Sequence, residues 1–345
     1  MNTIYSDPKE IHSGSKTIYS DPKGSGRTPL SGMQTMMHRE KSPGYVEYLT
    51  FLFILSTVFF LGTLIPFQRT VWAQILCGAL PALILLLLFL YMTRQRRVGR
   101  FWAFCAAVIA VCLSALSLYC MAQFLYFCVL QELPVWLFPA AFLVCAFYGA
   151  LWDVHLLQRF CKLCGPPVIF LLVLSLLSGA SKIRFSLQYG IFLWRDYLRV
   201  QTSSFLYGTL LFGVLFLLEG ILLLTLLRTE TAFEKQTVSP EAGSGGKKKH
   251  HTLCRGFVKG YLLAVVSLAA IYFVTVLALG PAVFEFLTYP VYYPPGLSGS
   301  AEYLERTEII LLAVLLFPEF VKMTLCILMI KKSLLRFFRP EDIGR

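Results

Sequence analysis

The feature that most constrains the fold of this 345-residue chain is a series of long apolar segments. Residues 71–93 contain no charged side chain, and several stretches exceed the roughly 18 apolar residues that allow a helix to cross a bilayer. Hydrophobic residues make up 57% of the chain and charged residues 14%, whereas soluble domains are roughly 45–50% apolar and about 25% charged. The sequence therefore predicts an all-α polytopic membrane protein.

Eight apolar segments are expected to form a transmembrane bundle over residues 46–338, followed by a short tail, 339–345. The third segment is long enough to be strongly tilted. The fifth is short and follows Gly165-Pro166-Pro167, which we expect to break the helix, so that it crosses with the help of its flanks or enters the membrane only partly. The predicted spans are 46–67, 71–93, 101–130, 134–152, 166–180, 205–227, 257–280 and 307–330.

The first 45 residues are polar and contain the heptapeptide TIYSDPK twice, at 3–9 and at 17–23. The surrounding residues are rich in glycine, serine and lysine, so the segment cannot bury enough apolar surface to fold. It also lacks the short apolar core of a cleavable signal peptide. We expect a disordered cytoplasmic tail, and the repeat fits either a docking segment or a tolerated duplication.

The net charge of +12 is concentrated beside the apolar segments, where it orients a membrane protein, and we expect no nucleic-acid binding. The connections 94–100 and 228–256 are basic, as is the C-terminus, whereas 131–133 and 281–304 are poor in basic residues. This alternation predicts that both termini are cytoplasmic. The basic segment 181–204 conflicts with that topology, and its mixture of aromatic and charged residues is typical of an interfacial helix.

No sequence pattern indicates an enzyme, a cofactor or a metal centre. A nucleophile elbow, an HExxH motif and a P-loop are all missing from the sequence. The single CxxC pattern, Cys161 to Cys164, has no second pair or nearby histidines and is weak evidence for zinc or redox chemistry. His250 and His251 follow three lysines, which favours a solvated loop facing anionic membrane lipid over a metal site.

Ionisable residues within apolar segments give the sharpest functional signal, because such residues usually face the interior of a bundle and mark a ligand, ion or proton path. Glu219 lies eight residues before Leu227, roughly 12 Å along a helix, too far to reach water at that end. A neutral structural glutamate is the alternative. Glu319 and Lys322 are three residues apart, so they can pair on one helix face, or Lys322 can extend towards the cytoplasm.

Helix-breaking residues at membrane depth also point to binding sites, because irregular backbone survives there only where protein or water satisfies its polar groups. Pro318 should free the carbonyl of Val314. Gly-Thr-Leu occurs in the first span with Gly62 and Thr63, before Pro66, and in the sixth with Gly208 and Thr209. These small residues fit either broken helices at a site or close helix packing.

The third span has a polar and aromatic face formed by Tyr119, Gln123 and Tyr126, at spacings of four and three. Such a face fits either the lining of a small-molecule site or a hydrogen-bonded seam between helices.

Several of these motifs, in this order, resemble the B subunits of bacterial spore germinant receptors, within the amino acid–polyamine–organocation transporter superfamily. The resemblance covers residues 46 to about 338, and Leu217 departs from it where that family has glycine. The matching residues are Gly62, Pro66, Trp72, Glu219, Tyr289, Pro290, Glu305, Arg306, Glu308, Phe320 and Lys322.

The resemblance implies a LeuT-type inverted-repeat helical bundle, with about eight spans in place of ten, apparently shortened at the C-terminus. It also implies a multi-pass protein of the cell membrane or spore inner membrane that senses an amino-acid-like nutrient with receptor A and C subunits. The alternatives are an amino-acid permease coupled to protons or sodium and a non-binding scaffold. The ligand site is expected at Gly62, Thr63, Pro66, Tyr119, Gln123, Gly208, Thr209 and Glu219. Coupling or structural ion pairs are expected at Glu305, Arg306, Glu308, Glu319 and Lys322.

Overall fold

The computed structural model describes most of the apolar part of the chain. The described residues are 44–60, 70–93, 100–128, 134–151, 154–180, 202–237, 245–287, 289–292 and 307–338. They belong to one compact unit, residues 43–345, and contain helices and turns but no strand.

The described residues form nine α-helices, with one turn of 3₁₀ helix, Pro290–Tyr292, between the last two. A glycine with positive φ, Gly280 at 80°, separates α7 from α8, a conformation that costs other residues steric strain. The helices are α1 (Gly44–Leu55), α2 (Val71–Met92), α3 (Arg100–Cys128), α4 (Leu137–Gly149), α5 (Val154–Ala180), α6 (Thr202–Thr237), α7 (Gly245–Leu279), α8 (Pro281–Phe286) and α9 (Thr307–Phe338).

Six helices among the described residues, α2, α3, α5, α6, α7 and α9, are long and apolar enough to cross a membrane. Two shorter apolar helical segments, Tyr45–Phe60 and Leu137–Gly149, accompany them. The prediction of a helical, multi-pass membrane protein is therefore confirmed at the level of fold class.

The fifth predicted span differs from the structure, because α5 begins at Val154 and continues through Pro166 and Pro167. The reason lies in packing. Gly165 is buried against Tyr48 of α1, where an added Cβ would lie 2.4 Å from the tyrosine Cδ1 atom. The two prolines are exposed, and neighbouring helices commonly stabilise proline-containing helices in membranes.

The small residues of α6 are also part of a regular helix, in contrast to the broken backbone considered for Gly208 and Thr209. Helix α6 is continuous from Thr202, and a Cβ on Gly208 would lie 2.5 Å from Oε1 of Gln74. A Cβ on Gly78 of α2 would lie 2.6 Å from the carbonyl oxygen of Thr209. These residues allow the backbones of α2 and α6 to approach closely. For the sixth predicted span, the structure therefore fits close helix packing, the alternative to a broken helix at a binding site.

Helices α2 and α6 run parallel, as the order of their contacts shows, because it is the same along both helices. Beyond the Gly208 contact, Gly220 packs against Leu86, and Arg228 donates a 2.8 Å hydrogen bond to the carbonyl of Thr93. The guanidinium thereby satisfies a carbonyl at the C-terminal end of α2.

Helices α1 and α7 are also parallel. The carbonyl of Glu47 lies against Gly260 near the start of the contact, and the hydroxyl of Tyr272 donates to the carbonyl of Val58 at 3.4 Å near its end.

Helices α2 and α7, by contrast, are antiparallel. Trp72 packs edge-on against Phe273 at 5.3 Å, whereas Ala79, further along α2, accepts a 2.9 Å hydrogen bond from the earlier residue Tyr261. Helix α2 is thus parallel to α6 and antiparallel to α7. This is the pattern expected when successive helices alternate in direction along the chain.

Candidate functional site: a buried charge cluster

Three ionisable side chains meet in the interior of the bundle. Glu219 of α6 and Glu319 and Lys322 of α9 have no solvent-exposed surface. The Lys322 ammonium donates a hydrogen bond to Oε1 of Glu219 and forms an ion pair with it. The pair therefore joins two helices. The sequence had suggested either a pair between Glu319 and Lys322 within α9 or an extension of Lys322 towards water.

The depth of the two charges explains their pairing. Glu219 lies nine residues before Arg228, and Lys322 lies nine residues before Lys331. Nine residues of α-helix correspond to about 13 Å, so each charge is separated from its basic helix end by a similar distance. The two side chains meet each other at a depth where neither can reach water along its own helix.

A discontinuity in α1 supplies a second partner for Glu219. The helix ends at Leu55, and the amide of Thr57 donates to the carbonyl three residues back, Ile54, at 3.1 Å. The hydroxyl of Thr57 then donates to Oε2 of Glu219 at 2.7 Å. Both carboxylate oxygens of Glu219 are thus hydrogen-bonded, one by α9 and one by the turn in α1.

Glu319 is held differently. Its Oε1 accepts a hydrogen bond from the hydroxyl of Ser117 on α3. Its Oε2 is buried and has no hydrogen-bond partner among the described residues. The cluster consequently contains two carboxyl groups and one ammonium group, and one carboxyl oxygen is left over.

Aromatic side chains surround the ammonium. The Nζ atom of Lys322 lies 4.0 Å from the ring centroid of Phe60 and 5.8 Å from that of Phe53. Both rings belong to the apolar segment Tyr45–Phe60, which contains nearly all of α1 and is called the α1 segment below. Such cation–π contacts partly replace the water that a buried ammonium loses.

An aromatic layer lies beside the turn in α1. Phe124 of α3 contacts Phe59 at 5.1 Å and Tyr289 at 5.3 Å between ring centroids, both edge-on. A cavity of about 20 Å³ adjoins these rings, enough for roughly one water molecule. It is lined by Val58, Phe59, Phe124, Tyr272, Tyr289, Val291 and Leu315.

Comparison of the chain with protein-family models, with curated proteins and with solved structures finds no match. The function of the cluster is therefore inferred from its own geometry.

The structure brings three of the sequence-predicted residues together, namely Glu219, Glu319 and Lys322. It places Gly208 and Thr209 at the contact with α2, and Thr209 is ten residues before Glu219, about 15 Å along α6. Five predicted residues lie outside the described residues, namely Gly62, Thr63, Pro66, Glu305 and Arg306. For Glu308 the structure describes the backbone but not the side chain.

The predicted polar face of α3 does not point to the cluster. Tyr119 is 54% exposed and Tyr126 37% exposed, while Gln123 is half-buried. The face that meets α9 is the one that carries Ser117. Tyr119 and Tyr126 therefore lie on the exposed surface of the bundle.

Sequence reasoning missed Thr57 and Ser117, the two hydroxyl groups that bind the carboxyl groups. Both are small polar residues within otherwise apolar segments, and such residues often hydrogen-bond across membrane helices. That signal was weak, because many serines and threonines in membrane helices donate to their own backbone, as Thr225 does to Ile221 at 2.7 Å.

Proposed function

We propose that this chain is a proton-coupled carrier of a small polar solute, with amino acids as the first class to test. The proposal rests on the cluster of Glu219, Glu319 and Lys322. Its carboxyl groups accept hydrogen bonds from the hydroxyls of Thr57 and Ser117, so that the cluster joins α1, α3, α6 and α9. Ionisable groups at such depth typically serve substrate, ion or proton movement.

Stability alone gives little reason for such a cluster. A central Lys or Asp costs about 2.5–3.5 kcal/mol on membrane-insertion scales, and well-packed apolar residues often replace a buried ion pair without loss of stability. A change in the charge of the cluster would, however, alter the contacts among α1, α3, α6 and α9 at once. This is the property that couples solute movement to proton movement.

The turn at Ser56 and Thr57 adds support, because discontinuous helices near the membrane centre frequently form solute and ion sites in carriers. The ammonium of Lys322 and the carboxyl group of Glu319 are complementary to the two ends of a zwitterion. An amino acid that approaches the cluster through a rearranged aromatic layer at Phe124 and Tyr289 would meet both groups.

The proposal includes eight crossings, with both termini on the cytoplasmic side. The parallel packing of α2 and α6 supports an odd number of crossings between them, so the short α4 crosses with α3 and α5. The basic residues at 94–100 and 228–256 support the cytoplasmic assignment of those ends.

A single cysteine at position 153, between α4 and α5, tests this topology in a cysteine-free background. If α4 crosses, the Asp153→Cys and Gln95→Cys variants are labelled by an impermeant maleimide from the same side, and Gln131→Cys from the other. Labelling of positions 131 and 153 from one side contradicts eight crossings.

The transport experiment uses the full chain in liposomes that contain a pH-sensitive dye. Individual L-amino acids are added outside under an imposed proton gradient, and both label uptake and luminal acidification are recorded. We expect Glu219→Gln and Lys322→Gln to abolish coupled uptake. The exposed carboxylate variant Glu285→Gln is the control and should retain it. Uptake unaffected by the two cluster variants, or no flux of any tested amino acid, contradicts the proposal.

The nutrient-sensing role implied by the resemblance is a second proposal. What supports it is that Glu219 and Lys322, which the resemblance selects from separate spans, form one ion pair. Amino-acid binding without uptake, together with co-purification of a receptor A or C subunit, would favour sensing over transport. If replacement of Glu219 and Lys322 changes no nutrient response, the non-binding scaffold is favoured.

A further inference from the structure

We infer that Glu319 is the residue that holds the transferable proton, and that Glu219 and Lys322 form the ion pair against which this proton is balanced. This assignment rests on the proposed function for its role in transport. The protonation itself is a property of the cluster that can be measured without any transported solute.

The first argument is the different use of the two carboxyl groups. In Glu219 one oxygen bonds the ammonium of Lys322 and the other the hydroxyl of Thr57. Charge-assisted hydrogen bonds of this kind are the strongest available to a carboxylate. Glu319 has one oxygen bound to the neutral hydroxyl of Ser117 and a second, fully buried oxygen with no hydrogen-bond partner among the described residues.

The second argument is the charge balance. Among the described residues, the ionisable groups that face Glu319 are Lys322 and Cys326 on its own helix and Glu219 on α6. The α1 segment contributes a threonine hydroxyl to the cluster, and α3 contributes a serine hydroxyl. Of the other helices that pack on α9, α4 presents Gly149 and α5 presents Phe160.

One ammonium therefore faces two carboxyl groups. If both were ionised, one negative charge would remain uncompensated in a site without exposure to water, which is strongly unfavourable. A proton on Oε2 of Glu319 makes the cluster electrically neutral. Glu219 is the poorer site for that proton, because protonation there would weaken the bond to Lys322.

The proton also gives the cluster two protonation states. When the site opens to water, Glu319 releases H⁺ to the solvent and becomes a carboxylate. Lys322, three residues further on the same helix face, is then attracted to Glu319 as well as to Glu219. The contact between α6 and α9 weakens, and the ammonium group of a solute can then pair with the Glu319 carboxylate. Reprotonation restores the present arrangement.

Infrared spectroscopy of the purified full-length protein in lipid nanodiscs at neutral pH tests the assignment. Wild type should show the carbonyl stretch of a buried protonated carboxyl group, with the usual small shift in deuterated buffer. Glu319→Gln should lose this band, Glu319→Asp should keep it at a shifted frequency, and the exposed-site control Glu285→Gln should keep it unchanged. Glutamine resembles a protonated glutamate in shape, so the fold should survive.

For Lys322→Met the same count of charges predicts the opposite change, a stronger carboxyl band. Without the ammonium both carboxyl groups should be protonated, and the band area should increase about twofold. Glu219→Gln should lose the band, because Glu319 then ionises to balance Lys322.

Absence of the band in wild type, or its persistence in Glu319→Gln, overturns the inference. In liposomes, Glu319→Gln should lose the accumulation of amino acid that is driven by a proton gradient. If wild type carries no tested amino acid but shows the Glu319 band, the proposed transport fails while the protonation assignment stands. If transport occurs without the band and requires sodium, the assignment fails while a carrier function stands.

Discussion

Lys322 on α9 donates a hydrogen bond to the carboxylate of Glu219 on α6, across 103 positions of sequence and with neither side chain exposed. The pair fixes the relative position of two helices at a depth where water cannot screen either charge. Thr57, from the turn in α1, completes the hydrogen bonding of the carboxylate.

Removal of only one member of this pair should destabilise the protein more than removal of both. Lys322→Met removes the counter-charge of Glu219, so that this buried carboxyl group must take up a proton and loses its charge-assisted hydrogen bond; loss of one partner of a buried pair typically costs about 3–5 kcal/mol. The double variant Glu219→Gln with Lys322→Met removes both charges and should recover most of that loss. Thermal unfolding of the three proteins in one detergent gives the comparison. A double variant that is destabilised by the sum of the two single losses would show that the two residues do not interact.

The hydroxyl of Thr57 should matter more than its shape. Thr57→Val conserves the volume but leaves Oε2 of Glu219 without a donor, which should cost about 1–3 kcal/mol and reduce coupled uptake. Thr57→Ser keeps the hydroxyl and is the matched control. A valine variant that behaves like the serine variant in unfolding and uptake assays would argue against this hydrogen bond.

Close packing of α2 on α6 predicts opposite outcomes for two glycines in the same contact. A Cβ at Gly78 would lie 2.6 Å from the backbone oxygen of Thr209, which cannot rotate away. Gly78→Ala should therefore lower the free energy of unfolding by about 1–3 kcal/mol. At Gly213 the nearest atom would be 3.4 Å away, an ordinary contact, so Gly213→Ala should be tolerated. Similar thermal stabilities for the two variants would contradict this geometry.

The two faces of α3 should differ in function. Ser117→Ala removes the donor to Glu319 and should change the pH dependence of coupled uptake. Tyr119→Ala alters an exposed side chain on another face and should leave uptake unchanged. Measurement of uptake against pH for both variants separates the alternatives. A large loss in Tyr119→Ala, with a wild-type profile in Ser117→Ala, would place the site on the tyrosine face.

Much of the fold follows from local sequence, because the transfer of apolar side chains from water to hydrocarbon is a property of each segment. The helix boundaries near residues 71–92 could be predicted for that reason. The start of α5 could not, because Gly165 and the two prolines after it have the local preferences of a break. The continuous form packs against other helices, for example through the contact of Gly165 with Tyr48.

The candidate site was also predictable only in part. Glu219, Glu319 and Lys322 could be selected from the sequence, because charges in apolar segments are costly wherever the helices lie. The partner of Lys322 could not, because an intrahelical neighbour and a residue on α6 are both within reach of a long side chain. The choice depends on which helix packs beside α9.

By itself the sequence determined that the chain is helical, enters a membrane and contains charges that hydrocarbon disfavours. Only the tertiary structure decided that these charges neutralise one another across α6 and α9, that hydroxyls from α1 and α3 join them, and that the glycines of α6 pack against α2. The physical reason is that burial preferences act residue by residue, whereas hydrogen bonds, ion pairs and close packing depend on distances between segments that are far apart in the chain.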